Sequence, residues 1–419
     1  MAIVKPFKGI RPPKEIAPTL ASLPYDVMNS EEATAMAEGK PESLLHITRA
    51  EICFDGDIDP HAPEVYDRAV SNFTAFLKNG FLLPDDEPHF YIYAQTMNGR
   101  TQYGIVGAAA CEDYDRGVIL KHELTRPDKE EDRRVLTRKL NANIEPVFFT
   151  YRAVPELDEI VEHITKEQEP EYDFVAGDGI GHHFWVIRDA GVNEKIERLF
   201  RDKVPNTYVA DGHHRTAAAA GIGRERKAQN PGHTGEEAYN YFMAVHFPDH
   251  QLQIIDYNRV VKDLNGLSPG EFLDGLSAHF QLEKTGGQTA KPEALHTFGM
   301  YLEGEWYRLR AKEHTYDDDD PIGSLDVSIL SNFVLDPLLG IKDLRRDTRI
   351  EFVGGIRGLD ELKRRVDSGE MKVAFALYPV SMEQLMRIAD TGNIMPPKVT
   401  WFEPKLRSGL VIYSLSGNI

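Results

Sequence analysis

Apolar residues along the chain follow two spacings, one typical of β-strands and one typical of helices. Alternating or continuous apolar runs predict strands at 90–97, 101–110, 172–176, 182–187, 239–247 and 373–377. Apolar residues at helical spacing predict helices at 66–77, 157–164, 192–203, 268–278 and 359–366. Because strands and helices are interleaved along the whole chain, the sequence predicts an α/β fold with mixed (α+β) sheets.

Local sequence signals predict where one turn lies and where one further helix begins. Asn98-Gly99 separates the first two apolar runs, and this dipeptide suits a tight type I′ turn, which predicts a β-hairpin. The pair Asn29-Ser30 directly precedes a run with helical character, and both residue types are favoured helix caps, so we expect a short helix at 31–39.

The most informative stretch is a pentad of residues, Asp211, Gly212, His213, His214 and Arg215. A short β-type run ends at the pentad, and a run of alanines with high helix propensity follows it directly. A strand, a glycine turn and a helix start leave free backbone N–H groups at the turn. Such a helix end is an anion site, and phosphate is its usual ligand.

The side chains of the pentad fit phosphoryl chemistry. Gly212 permits close approach of the backbone, Arg215 offers a bidentate fork, and Thr216 lies in the first helical turn. Asp211 could hold Mg²⁺ or accept a proton from a hydroxyl group, and His213 or His214 could stabilise the transferred group.

Two other interpretations of the pentad are open to the sequence. Adjacent histidines on a helix point about 100° apart, so His213 and His214 make a poor zinc motif. A purely structural interpretation would make Asp211 a helix cap, the histidines surface residues and Arg215 half of an ion pair. The density of chemically active side chains favours the phosphate site.

A second polar cluster follows the predicted strand that ends at residue 120. It contains Lys121, His122, Glu123 and Thr125, and Pro127 then interrupts the chain. A solvated helical face is the usual explanation of such a charge run. We favour a pocket role because side chains at a strand end can converge on a cleft. Arg133, further along, could belong to the same pocket or to a surface ion pair.

Both ends of the chain contribute further candidates. Arg11, Tyr25 and Asp26 lie in a proline-rich N-terminal segment, which is either an ordered arm across the fold or a pocket-lining loop. Lys398 and Lys405 lie in a loop-like stretch before the last predicted strand, where they could bind phosphate.

Composition excludes several classes of function. The formal net charge is −19, from 48 basic and 67 acidic residues, which argues against nonspecific nucleic-acid binding. The two cysteines lack a CxxC pattern and predict free thiols rather than disulfides. No apolar run has the length of a membrane span, and the N-terminus does not resemble a signal peptide, so we expect a cytoplasmic protein without membrane partners. Composition gives no oligomeric state.

Motifs across most of the 419 residues carry a family resemblance. They are Phe7-x-Gly9-x-Arg11, Pro24-Tyr25-Asp26-Val27, Lys121-His122-Glu123-x-Thr125, the pentad, Leu325-Asp326-Val327, Met395-Pro396-Pro397-Lys398 and Pro404-Lys405. Together they resemble a widespread prokaryotic family of unknown function. The pentad and its small-residue helix also resemble the ParB/sulfiredoxin-like superfamily, and within it the free-serine kinases.

The length of the chain predicts two or three lobes, the order of predicted strands and helices favours a βαβ-like lobe around 185–265, and the resemblance implies that this lobe is ParB-like. We expect an N-terminal α/β lobe at 1–184, a ParB-like nucleotide- or phosphate-binding lobe at 185–265 with a βαβ-like core, and a C-terminal α/β lobe at 266–419.

The resemblance also implies an activity. We expect an ATP- or ADP-dependent kinase for a small hydroxyl-bearing metabolite, with free L-serine as the first guess and Mg²⁺ bridging phosphate oxygens. Arg215, the helix start and Lys398 or Lys405 would bind phosphate, and Glu123 or Asp211 would take the hydroxyl proton. A phosphate-ester or nucleotide hydrolase and a non-catalytic nucleotide sensor are the alternatives.

Overall fold

The computed structural model describes residues 1–56 and 58–417, which fold into two compact units. Unit 1 comprises residues 1–252 together with the C-terminal stretch from Pro404, and unit 2 comprises residues 253–403. The division differs from the three predicted lobes because one sheet continues across residue 185 and because the chain returns to unit 1 at its end.

Strands and helices are interleaved along both units. The strands are β1 (Val4–Lys5), β2 (Gly9–Arg11), β3 (Leu83–Pro84), β4 (Phe90–Met97), β5 (Arg100–Ala110), β6 (Ile119–Leu120), β7 (Ala142–Asn143), β8 (Val147–Tyr151), β9 (Tyr172–Val175), β10 (Gly181–Ile187), β11 (Thr207–Asp211), β12 (Tyr241–Pro248), β13 (Ile254–Ile255), β14 (Tyr257–Val261), β15 (Phe280–Lys284), β16 (Thr297–Leu302), β17 (Glu305–Ala311), β18 (Ile350–Gly354), β19 (Val373–Leu377), β20 (Trp401–Phe402) and β21 (Ile412–Ser414). The α-helices are α1 (Ala17–Leu20), α2 (Ser30–Ala37), α3 (Leu45–Thr48), α4 (Pro63–Lys78), α5 (Cys111–Asp115), α6 (Pro127–Leu140), α7 (Pro155–Glu167), α8 (Ala190–Lys203), α9 (His213–Gln229), α10 (Pro269–Ser277), α11 (Asp326–Leu330), α12 (Leu359–Asp367) and α13 (Met382–Asp390).

The described residues of unit 1 form a nine-stranded and a four-stranded sheet. The large sheet has the order β6-β11-β8-β12-β5-β4-β10-β9, with β1 added beside β5, and the small sheet has the order β3-β2-β21-β7. In unit 2 the described strands form a six-stranded sheet, β15-β17-β16-β19-β14-β18, and the pair β13-β20. The sheets mix parallel and antiparallel pairs, which confirms the predicted mixed α/β class.

The local sequence signals are confirmed by the backbone. Asn98 and Gly99 have φ of 53° and 75°, as a type I′ turn requires, and β4 pairs with β5 from Met97↔Arg100 onwards. Asn29 caps α2 and accepts the backbone N–H of Glu32, whose side chain reaches back to the amide of Asn29.

The βαβ-like core predicted around residues 185–265 is wrong. Strand β11 runs antiparallel to β8, whereas β12 runs parallel to β8 on its other side. The two strands that flank helix α9 therefore run in opposite directions with β8 between them. Sequence spacing alone does not reveal a strand inserted from elsewhere in the chain.

Two clusters of apolar side chains hold helices against the large sheet. One packs α7 and α8 onto it through Leu157, Ile196 and Phe200. The other packs α9 onto it through Ala219, which meets Phe149. The small alanine side chains let α9 approach the strands closely, and this fixes the position of the pentad at its start. None of the described helices is long and apolar enough to cross a bilayer.

Candidate active site

The pentad lies where strand β11 ends and helix α9 begins. A bulge at Ala210 shifts the register, so that Asp211 pairs with Phe148 after Val209 has paired with Phe149. Gly212 then turns the chain with φ of 91° and ψ of 34°, a left-handed conformation that favours glycine. The strand–turn–helix predicted from the sequence is confirmed.

The start of α9 presents backbone donors. The first helical hydrogen bond runs from the Thr216 amide to the Gly212 carbonyl at 2.9 Å. The amides of His213, His214 and Arg215 precede it and therefore have no partner of the i−4 type. The Thr216 hydroxyl also donates to the Gly212 carbonyl, at 3.0 Å, so this predicted phosphate-binding side chain is used to close the first turn.

Strand β6 brings the second polar cluster to the pentad. It pairs in parallel with β11, with Leu120 opposite Tyr208, so both strands end at the same edge of the sheet. The rings of His122 and His213 meet edge-on with centroids 4.6 Å apart. Glu123 Oε2 lies 3.8 Å from His213 Nδ1. The fold therefore brings this strand end to the pentad, a meeting that the sequence alone does not predict.

Two members of that cluster make contacts elsewhere. Lys121 places its ammonium over the Tyr114 ring, 5.0 Å from the centroid. The Thr125 hydroxyl donates to Glu130 Oε2 at 2.9 Å, at the start of α6. Their side chains therefore support the loop around His122 and Glu123.

Lys405 reaches Asp211 from the far end of the chain. Its ammonium lies 3.0 Å from Asp211 Oδ2, and the Gly212 amide donates to Asp211 Oδ1 at 2.9 Å. Burial favours the protonated acid, but Lys405 and Arg215 outweigh it and hold the pKa of Asp211 well below its ordinary value. Asp211 is therefore an ionised carboxylate, and each of its two oxygens accepts a hydrogen bond.

Arg215 is a buried guanidinium without a carboxylate partner. It is 8% exposed, and within the described residues no carboxylate oxygen lies within 4 Å of it. Nη1 donates to the Pro146 carbonyl at 2.5 Å, and the buried Nε has no partner there. The group lies over Gly212, so that a Cβ at that position would approach Nε and Nη2 to 3.1 Å. A larger residue here would press on the guanidinium and strain the left-handed backbone.

The three histidines of the site are neutral at physiological pH. Burial, followed by the neighbouring His122 ring, lowers the pKa of His213 well below its ordinary value. Burial lowers the pKa of His122 to about 4, against the opposing effect of Asp211. Burial also lowers the pKa of His214, whose Nε2 accepts the Arg126 amide at 3.0 Å. These rings can offer hydrogen bonds but not positive charge.

Residues from the N-terminal segment meet a carboxylate that the sequence analysis missed. The Tyr25 amide donates to Glu145 Oε1 at 3.0 Å, and Arg133 binds Glu145 Oε2 at 3.2 Å. Arg133 also lies 3.7 Å above the centre of the Tyr25 ring. Burial alone would lower the pKa of Arg215. The carboxylates of Asp26 and Glu145 outweigh this effect, so the pKa of Arg215 is raised. Glu145 stands alone directly before a buried strand, and that position was its only signal in the sequence.

Two predicted site residues have their contacts elsewhere. Arg11 forms a bidentate pair with Asp85, at 2.6 to 3.0 Å, and donates to the Tyr172 hydroxyl at 3.1 Å. Lys398 belongs to unit 2, where its ammonium lies 5.9 Å from the centre of the Tyr257 ring. No partner that we find for Arg11 within the described chain belongs to the pentad.

Comparison with protein families places the sequence. A family model described as "Protein of unknown function (DUF1015)" matches residues 4–328. The chain belongs to this family. The membership predicted from the motifs is confirmed, and DUF1015 carries no assigned activity. A search of curated proteins finds no match.

The solved structures that match this DUF1015 chain are distant from it. A conserved hypothetical protein from Pyrococcus furiosus is 13% identical, with 73% of this chain and 95% of that one covered and a TM-score of 0.34. A free serine kinase in complex with AMP is 10% identical, with 73% and 92% covered and a TM-score of 0.33. SbnI with a C-terminal truncation, from Staphylococcus aureus, is 12% identical, with 73% and 87% covered and a TM-score of 0.37.

Replacing Lys405 by Met should destabilise the protein in a pH-dependent way. At pH 7 we expect the free energy of unfolding to fall by about 1–3 kcal/mol, because Asp211 loses its closest counter-ion. Folding depresses the pKa of Asp211, so the stabilisation is complete above the ordinary carboxyl range near ~4 and is lost as the pH falls through the folded-state value. Urea unfolding at several pH values measures the difference.

The matched control is Lys166→Met, which removes an exposed lysine paired with Glu162. We expect a change within about 0.5 kcal/mol at any pH, since exposed pairs contribute little. Equal losses for the two variants would contradict the assigned role of Lys405.

Proposed function

We propose that this protein is a nucleotide-dependent phosphotransferase that acts on a small hydroxyl-bearing metabolite, with free L-serine as the first candidate. The observation that carries the proposal is the buried Arg215, which has no carboxylate oxygen within 4 Å among the described residues and lies over the left-handed Gly212. A phosphate group beside the first-turn amides would contact the guanidinium directly and accept the hydrogen bonds of the amides.

The residues around Arg215 suggest a division of roles. Arg215 and the amides of His213 and His214 bind phosphate, and Lys405 adds a second cation near Asp211. The neutral ring of His213 donates or accepts one hydrogen bond. Glu123, beside His213, takes the proton of the acceptor hydroxyl. The hydroxyl oxygen then bonds to the phosphorus that is transferred, and the nucleotide leaves with one phosphate fewer.

Of the two bases that the sequence predicts, the structure favours Glu123. Asp211 accepts hydrogen bonds from the Lys405 ammonium and the Gly212 amide. Its depressed pKa makes it a weak proton acceptor. Its carboxylate serves better to orient the cations around it. Glu123 is 37% exposed and so is accessible to a substrate.

A magnesium ion fits this site only together with a nucleotide. Within the described residues no group of three or more His, Cys, Asp and Glu side chains could hold a metal ion. Mg²⁺ commonly uses one or two carboxylates and the phosphates of its substrate, so Asp211 would be the carboxylate, in competition with Lys405. Bound there, the ion would neutralise phosphate charge.

The direct test is ³¹P NMR of the purified protein with ATP or ADP and one acceptor at a time. We expect a phosphate ester to form with serine and none with alanine, which lacks the hydroxyl group. The AMP and ADP present in the solved free serine kinases guide only the choice of nucleotides. Inorganic phosphate released without any acceptor dependence would indicate a hydrolase, and nucleotide binding without turnover would indicate a sensor.

Arg215→Lys should weaken nucleotide binding. Lysine keeps the charge but loses the bidentate fork, so we expect the Kd for ATP or ADP to rise about tenfold or more, measured by calorimetry. Arg224→Lys is the control, because Arg224 lies on the same helix in a surface pair with Asp115. Unchanged affinity in a folded Arg215→Lys protein would refute the phosphate site.

Glu123→Gln should lower turnover without removing nucleotide binding. A lost general base costs about 10²- to 10⁴-fold in kcat, while the Kd for the nucleotide should stay within about twofold. Glu112→Gln, at an exposed surface position, is the control and should keep full activity. Full turnover of the Glu123→Gln variant would assign the base elsewhere.

A further inference from the structure

Unit 2 also contains a buried guanidinium, that of Arg259 on strand β14. Arg259 is 1% exposed. It donates to the backbone carbonyls of Tyr257 and, at 2.8 Å, of Lys398. Its central carbon lies 5.3 Å from the Phe352 ring and 5.9 Å from the Tyr257 ring. In the described part of the chain no carboxylate oxygen lies within 4 Å of it.

The other buried arginines provide an internal comparison. Those that are at most 9% exposed are Arg133, Arg215, Arg259, Arg365 and Arg407. Three of them have carboxylate partners: Arg133 binds Asp132 and Glu145, Arg365 binds Glu351 and Glu370, and Arg407 binds Asp178. Only Arg215 and Arg259 lack one among the described residues. This protein has 67 acidic residues, so a shortage of carboxylates is not the reason.

An uncompensated buried charge is costly. Moving an ion from water into a protein interior is strongly unfavourable unless a counter-ion and hydrogen bonds compensate it. Two carbonyls and two ring faces compensate Arg259 in part, but they use only two of its five donors. Burial lowers the pKa of Arg259 to about 10, with only Tyr257 opposing it. An anion beside the guanidinium would offset the unfavourable burial of its charge.

Lys398 adds a second cation at the same ring. Its side chain is exposed, and its ammonium lies 5.9 Å from the centre of the Tyr257 ring. The backbone of Lys398 has φ of 60°, a left-handed conformation that a lysine adopts at some cost. This conformation belongs to the residue whose carbonyl accepts from Arg259. Within the described residues no carboxylate oxygen lies within 4 Å of its ammonium.

We propose that Arg259 and Lys398 form an anion-binding site beside Tyr257 in unit 2, for the carboxylate or phosphate group of a small metabolite. The guanidinium supplies a rigid fork for two anion oxygens, and the exposed lysine supplies the mobile charge that meets the ligand from solvent. The site is defined by unit 2 alone and does not depend on the activity proposed for the pentad.

Calorimetry with three small probes tests the site on the full chain. The probes are inorganic phosphate, D-glycerate and neutral glycerol. We expect glycerol not to bind and one of the two anions to bind with an affinity that Arg215→Lys leaves unchanged, which separates this site from the pentad. The anion that binds in this way identifies phosphate or carboxylate as the ligand. Binding of neither anion overturns the proposal.

Lys398→Ala should weaken the binding of that anion at least fivefold. Because Lys398 is exposed, this variant should fold normally. The matched control is Lys284→Ala, since Lys284 is also an exposed lysine over a tyrosine ring, 5.5 Å from the centre of Tyr307, but its ring has no contact with Arg259. Equal affinities of the wild type and Lys398→Ala, or equal losses in both variants, overturn the proposal.

Lys398→Glu supplies the missing carboxylate from the chain itself. We expect this variant to lose measurable anion binding and to melt ~2 °C or more above the wild type. Crystals of the wild type soaked in the anion that binds then locate it. Density within hydrogen-bond distance of Arg259 or Lys398 is expected, and density only elsewhere overturns the assignment.

Discussion

The ion pair between Asp211 and Lys405 is the interaction on which the candidate site depends. It joins residues 194 positions apart and holds the C-terminal segment against the end of strand β11. It also keeps Asp211 ionised although the carboxylate is largely buried. With Asp211 bound in this way, the turn at Gly212 is fixed from both sides, by the carboxylate on its amide and by the guanidinium of Arg215 lying over it.

The distribution of charge shows how an acidic protein can contain the anion site that we propose. A net charge of −19 repels anions at long range, but binding is decided by the few groups that surround the ligand. Arg133 and Arg407 form ion pairs with carboxylates. Among the described residues, no carboxylate oxygen lies within 4 Å of Arg215. The neutral histidines around Arg215 provide polar contacts without adding like charge that would repel the guanidinium.

Local features of the fold could be predicted from the sequence, because they depend on residues close together in the chain. The Asn98-Gly99 turn, the Asn29 cap and the helix after Gly212 are of this kind. The meeting of Glu123 with His213 could not be predicted, because it depends on the pairing of β6 with β11, which brings two distant segments together. The direction of β12 relative to β11 could not, since it depends on β8, which no local spacing relates to them.

Within the site, residue types are easier to predict than partners. The sequence identifies Lys405 as a cation in a loop before the last strand, but its pairing with Asp211 requires the three-dimensional fold. The sequence predicts phosphate binding by Thr216, whereas its hydroxyl closes the helix turn. Glu145 escapes prediction because its position before a buried strand does not reveal that Tyr25 and Arg133 are its partners. Burial and pairing are collective properties, and short motifs do not encode them.

The path of the chain has a consequence for how the site is made. The chain leaves unit 1 after Leu252, builds the whole of unit 2, and returns at Pro404 to contribute Lys405 and strand β21. A ribosome adds roughly 5–20 residues per second, so about 10–40 s separate the synthesis of Asp211 from that of its partner. During that interval the nascent chain carries the pentad without its lysine, and the site becomes complete only after the whole of unit 2 has been synthesised.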